Sequence, residues 1–186
     1  MKNRGLLRSH LRAAWKDAVT KGYNTQLINS ERGLQFYFCE ALLRIFENAG
    51  MRRRLFIEPC LSISGKKTVC YPDVVICSSR IIIGVVEIKY TPRVGIPKTA
   101  SKDIKTLSFA ANNSRNISLS NDRYRGPQAG KKEFQLADDA VLCWAGIYSG
   151  DMADLGHLIS VRQHRERFLQ LNALTRQDQD PRIIMK

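Results

Sequence analysis

The chain has 186 residues, 44% hydrophobic and 25% charged, the composition of a globular domain and not of a disordered one. Thirty lysines and arginines face 17 acidic residues, a net charge of +13 that favours a polyanionic partner, nucleic acid being the commonest. No apolar run approaches the ~18–20 residues of a membrane span, and the opening MKNRGLLRSHLR places arginines where a secretory signal needs an apolar stretch.

Five cysteines (Cys39, Cys60, Cys70, Cys77 and Cys143) contain no CxxC pair and mostly sit in apolar runs. The expectation is one cytoplasmic domain over residues 1–186 with free thiols and no zinc or iron–sulfur site. The charge is uneven. Residues 1–135 carry 24 basic and 10 acidic groups, net +14, whereas residues 136–186 carry 6 and 7, net −1.

In chain order, residues 6–21 read as a basic amphipathic helix. Asn29-Ser30-Glu31 is an N-cap signal for a second helix running to about Asn48 and stopped at Gly50. After Arg52-Arg53-Arg54 come three strand-like runs, 55–63, 68–79 and 80–90, the first two joined through Gly65-Lys66-Lys67. Residues 100–112 read as a helix, 112–133 as a polar loop, 140–148 as a fourth strand and 160–174 as a C-terminal helix. This order predicts an α/β fold with a mixed sheet flanked by helices.

The chemistry lies in the second and third strands. Side chains alternate faces along a strand, so Glu87 and Lys89 share one face and Ile88 and Tyr90 the other. If the strands pair, Asp73 and Glu87 stand side by side at one sheet end, which is costly without a neutralising cation. An oxygen-only pair suits Mg²⁺, with Mn²⁺ as a substitute, and the Ile88 backbone carbonyl is a further candidate ligand.

Pro72-Asp73, thirteen residues, then Glu87-Ile88-Lys89 resembles the PD-(D/E)XK nuclease superfamily, the restriction-endonuclease-like fold. The resemblance implies an αβββαβ core over about residues 30–148 and metal-dependent hydrolysis of DNA phosphodiester bonds. Asp73 and Glu87 would then hold the metal, and Lys89 would position the attacking water. It also implies a glutamate from the first core helix, for which Glu31 and Glu40 compete. At ~100° per residue Glu31 lies on the face of Leu34, Phe38, Ala41, Leu42 and Ile45, while Glu40 lies ~180° away, toward solvent. Glu31 is therefore the catalytic or second-metal candidate; its alternative role is to favour the positive helix end beside a Ser30 cap. Gln35 is a candidate for orienting water or phosphate, and Glu58 reads equally as a ligand or an edge charge.

Arg52, Arg53, Arg54, Arg93 and Lys98 flank the motif as candidate phosphate clamps, and Lys102 and Lys105 as weaker ones. Half of a GIY-YIG signature at Gly146-Ile147-Tyr148 lacks its partner, and the scattered His10, His157 and His164 form no triad. The alternative function is a nucleic-acid-binding protein on the same fold without hydrolysis. The residues do not separate DNA from RNA, and a homodimer is expected if both duplex strands are cut by one site per chain.

Overall fold

The computed structural model describes residues 2–63, 69–95, 100–120, 126, 133–150 and 166–186. Lys98, the Gly65-Lys66-Lys67 link and residues 160–165 lie outside them, as does most of the expected loop after Ser120.

The chain opens with α1 (Lys2–Asp17), continued by one π-helical stretch, Ala18–Tyr23. Its apolar stripe of Leu7, Leu11, Ala14 and Trp15 is fully buried. Arg4 and Arg8 lie off the stripe and donate to the carbonyls of Asp139 (2.9 Å) and Phe168 (2.8 Å), so these arginines tie the helix to the sheet. Helix α2 (Glu31–Asn48) starts where the cap signal placed it: the Ser30 hydroxyl accepts the Gly33 N–H at 3.1 Å. Leu34, Phe38, Ala41 and Leu42 are buried and Glu40 is exposed beside Arg44, as the helical phase requires.

The strands follow as β1 (Arg53–Ile57), β2 (Leu61–Ile63), β3 (Val69–Cys70), β4 (Val74–Ser78) and β5 (Ile81–Thr91). Helix α3 (Ala100–Asn112) comes next, then β6 (Ile117–Ser120), β7 (Glu133–Ser149), β8 (Phe168–Arg176) and β9 (Gln179–Met185). The sheet order is β1-β4-β5-β7-β6-β2-β3, with β8 also on β7 and β9 on β8. β1, β4 and β5 form an antiparallel meander, and β7 runs parallel to β5.

Alternation along the central strands sorts two cores. Val74, Ile76, Val86 and Ile88 pack with α1 and α2. Val75, Cys77 and Val85 pack with Ile104, Leu107, Ala110 and Ala111 of α3 and with Leu61, Ile63, Ile117 and Leu119, where β2 and β6 curl over that face. All five cysteines are free, and Cys39, Cys77 and Cys143 are buried. Among the described residues no helix is long and apolar enough to cross a membrane.

Several expectations need correction. The runs 55–63 and 68–79 are each two strands. The first breaks at Glu58-Pro59-Cys60, where Glu58 takes φ +46° and Pro59 has no N–H to give a ladder. The second breaks at Tyr71-Pro72-Asp73 for the same proline reason. As a result β2 leaves the meander and pairs with β6, a strand within the span read as loop. The expected C-terminal helix is wrong from residue 168 onward: Phe168–Arg176 is a strand. Its leucines and alanine suit a helix, but β8 lies between β7 and β9 and is buried on both faces, so no period-two signal survives in the sequence.

Candidate active site

One groove of about 570 Å³ opens at the end of the meander where β4 begins and β5 runs past it. Glu31, Asp73, Glu87, Lys89, Lys102 and Lys105 all line it. Six of the residues singled out from the sequence, from four separate segments, thus meet in one groove.

Asp73 sits one residue before the Val74↔Val86 pair. Its backbone carbonyl accepts the Glu58 N–H (3.0 Å) and the Gln35 side-chain amide (2.8 Å), and its carboxylate Oδ2 accepts the Ile88 N–H (2.5 Å). β4 has turned away at this point, so the Asp73 side chain takes over a backbone donor that the ladder leaves open. Within a strand the C=O of a residue projects to the same side as its N–H, so the Ile88 carbonyl faces this edge too. Gln35 therefore fixes the Asp73 backbone. Glu58 contributes its backbone N–H, and its exposed side chain does not line the groove.

Glu87 follows Val85 on the α3 face and is 5% exposed. Its register partner on β7 is the buried Trp144. Its carboxyl lines the groove together with that of Asp73, and Oε1 is buried with no partner among the described residues. Burial raises the Glu87 carboxyl far above the usual range, and the charges of Asp73 and Asp103 add to this. Asp73 is pushed up to about 6, first by burial and then by Glu31 and Asp103, against the lowering effect of the Ile88 N–H.

Lys89 is held between two carboxylates, Glu31 Oε2 at 3.2 Å and Asp103 Oδ2 at 3.3 Å. Burial works against its charge, but Asp103 and Glu31 outweigh burial and raise its pKa, so it stays an ammonium. Glu31 Oε2 also accepts the Tyr90 N–H at 3.2 Å. The Glu31 carboxylate thus reaches across to β5, while the helix end is capped by Ser30.

Asp103 is the residue that sequence reasoning left without a role. It was visible as the acid between Lys102 and Lys105 in the first turn of α3. Its placement beside Lys89 depends on how α3 packs on the sheet. Burial raises the Asp103 carboxyl, opposed by Lys89.

The other basic candidates separate. Arg93 lines an adjoining cavity on the far side of Tyr90. Arg53 and Arg54 pair with Ser78 and Cys77, four and three residue steps from the Ile57↔Val74 pair, or ~10–13 Å of strand. Arg52 precedes them at that same distant end. Among the described residues no group of three or more His, Cys, Asp or Glu side chains makes a ready metal cage. The site offers an open pair of carboxylates. No protein-family model, curated protein or solved structure matches the chain.

Proposed function

We propose that the chain is a Mg²⁺-dependent nuclease of the PD-(D/E)XK type that hydrolyses DNA phosphodiester bonds in this groove. The observation that carries the reading is the Asp73–Glu87 pair: two carboxyls brought into one groove beside Lys89, both raised in pKa chiefly by burial. Such a pair is expensive to ionise unless a proton or a cation sits with it. The succession α2, β1-β4-β5 meander, α3, β7 supports a restriction-endonuclease-like αβββαβ core, to which β2, β3, β6, β8 and β9 are additions.

The donor set fits a hard divalent ion. It is all oxygen, Glu87 Oε1 is buried without a partner among the described residues, and two carboxylates plus waters and a phosphate are what Mg²⁺ accepts. Asp73, Glu87 and the Ile88 carbonyl would hold it, and the bound ion would polarise a phosphate oxygen and lower the pKa of the attacking water.

The chain's own groups do the rest. Lys89, fixed as an ammonium, orients that water and offsets charge developing on the phosphoryl oxygens; it is not a general base. Glu31 and Asp103 hold the Lys89 side chain from two sides, and Gln35 holds the strand end that carries Asp73. Lys102 and Lys105 at the groove wall are placed for neighbouring phosphates.

Linear, supercoiled, single-stranded and branched DNA incubated with Mg²⁺, Mn²⁺ or EDTA tests this directly. Cleavage should require the divalent ion and fall at least ~10³-fold in Asp73→Ala, Glu87→Ala and Lys89→Ala, with the fold retained. Activity that persists in EDTA or in Asp73→Ala would sink the reading. Metal-independent binding without cleavage in every arm would favour the non-catalytic alternative.

A further inference from the structure

A second cavity, of about 560 Å³, lies across β5 from the groove. Between them the Glu31 carboxylate accepts the Tyr90 N–H at the strand edge: Glu31 and Lys89 line the groove, while Asn29 and Tyr90, a residue or two away in sequence, line the cavity. Lys89 and Tyr90 are consecutive on β5, and their side chains point to its opposite faces.

The chemistry of the cavity differs from that of the groove. Tyr23 and Tyr90 stand edge to face, with centroids 6.2 Å apart and planes at 67°. Both rings also line the cavity and give it an aromatic wall for a planar partner. Four carboxamides, Asn24, Gln26, Asn29 and Gln179, share the lining. Each offers a donor and an acceptor, the pattern that reads base edges. The charged residues are one of each sign, Arg93 and Asp180. A phosphate site would be rich in cations, and a lipid or steroid site would be rich in aliphatic walls; this cavity is neither.

Its shape is fixed by the turn that follows the π-helical stretch. Gln26 adopts φ +63°, and its N–H returns to the Tyr23 carbonyl at 2.9 Å. A Cβ on Gly22 would meet Ile28 Cδ1 at 2.6 Å, so a larger residue there would have to displace the Ile28 side chain. The Tyr90 hydroxyl donates to the Ile28 carbonyl at 3.0 Å.

We infer that this cavity receives one unpaired nucleobase of the strand whose phosphate lies in the groove, so that the substrate is DNA with single-stranded character near the cut. The inference rests on the nuclease reading for what occupies the groove. A base paired in a duplex would first have to be extruded from its stack, whereas a base in a single strand, flap or frayed end enters without that cost.

The test is anisotropy of a fluorescein-labelled single strand and of its blunt duplex, in EDTA so that binding is read apart from cleavage, with cleavage of both in Mg²⁺ alongside. The single strand should bind tighter. Tyr23→Ala should weaken it on the order of 10-fold, as for loss of one stacked base, while Tyr23→Phe keeps the affinity and duplex binding is unmoved. Because Tyr23→Ala removes packing as well, the surface pair Asn24→Ala with Gln179→Ala provides a second arm with the same expected direction. Loss of single-strand affinity in these variants supports the base site even if no arm shows cleavage. Equal binding of both forms, unchanged in all variants, overturns it while leaving any observed cleavage, and so the nuclease reading, in place.

Discussion

At one end of the β4–β5 ribbon, Arg53 and Arg54 lay their guanidinium groups over Phe46 and Phe134, 5.5 and 5.8 Å from the ring centroids. At the other end, Asp73, Glu87 and Asp103 crowd one lysine. Burial disfavours charge at both ends, lowering the pKa of Arg53 and raising those of the three acids. The far end relieves the cost with aromatic faces and solvent. The near end does the reverse: the Ile88 N–H, Gln35 and Glu58 hold Asp73 beside a second carboxyl. Charges that only have to be tolerated are led away from one another, whereas these are held together, an arrangement that supports the proposed metal and phosphate site.

The largest effect that separates the two kinds of acid is on turnover. Glu31→Gln and Asp103→Asn, which release Lys89, should each cost about 10–100-fold in cleavage rate, the range typical of residues that orient a metal site. Glu40→Gln, exposed against Arg44 on the opposite side of α2, should change the rate less than about twofold. A silent Glu31→Gln would break the assignment of that carboxylate to the groove.

Stability against pH sharpens the comparison next. A carboxyl whose folded pKa lies above its unfolded value binds protons more tightly when folded. Its contribution is therefore most favourable below the unfolded pKa and is lost as pH rises toward the folded one. Without divalent ions, melting temperature should fall between the usual carboxylate range and about 6 through Asp73, and keep falling above that through Glu87. Glu87→Gln should flatten this loss, and Mg²⁺ should raise the wild-type melting temperature more at pH 8 than at pH 5. A wild-type and variant pair with parallel pH profiles would show that the two carboxyls are not held against their preference.

The smallest effect belongs to the far end. If DNA reaches it, neutralising Arg52 and Arg54 together should reduce the slope of log affinity against log salt by at most about 2, from the −4 to −5 expected of ~5 phosphate contacts. Cleavage at saturating DNA should stay unchanged. A collapse of the whole slope would move the main docking surface to that end.

Much of the site was legible because its signals are local. A cap residue, an apolar stripe and a period-two strand need only neighbouring residues, and they sufficed to put Glu31 on the correct helix face and Glu87 with Lys89 on one strand face. Helix α3 matches the span read from sequence, Ala100–Asn112, for the same reason. Asp103 escaped because an acid between two lysines in a first turn looks like an ordinary solvated helix start. Arg52, Arg53 and Arg54 flank the motif in sequence, whereas β1 pairs antiparallel with β4 and carries them to the opposite end of that ribbon.

What the sequence by itself determined is the alternation and helical phase that commit Glu31, Asp73, Glu87 and Lys89 to definite faces of definite elements. These follow from steric periods of 2 and 3.6 residues. Only the tertiary structure decided that Phe168–Arg176 is a strand, that β2 abandons the meander for β6, that Asp103 closes on Lys89, and that Tyr23, Tyr90 and Gln179 share a cavity. Each of these depends on which elements are adjacent in space. A strand buried on both faces loses its alternation, and residues tens of positions apart meet only when burying two apolar cores brings their elements together.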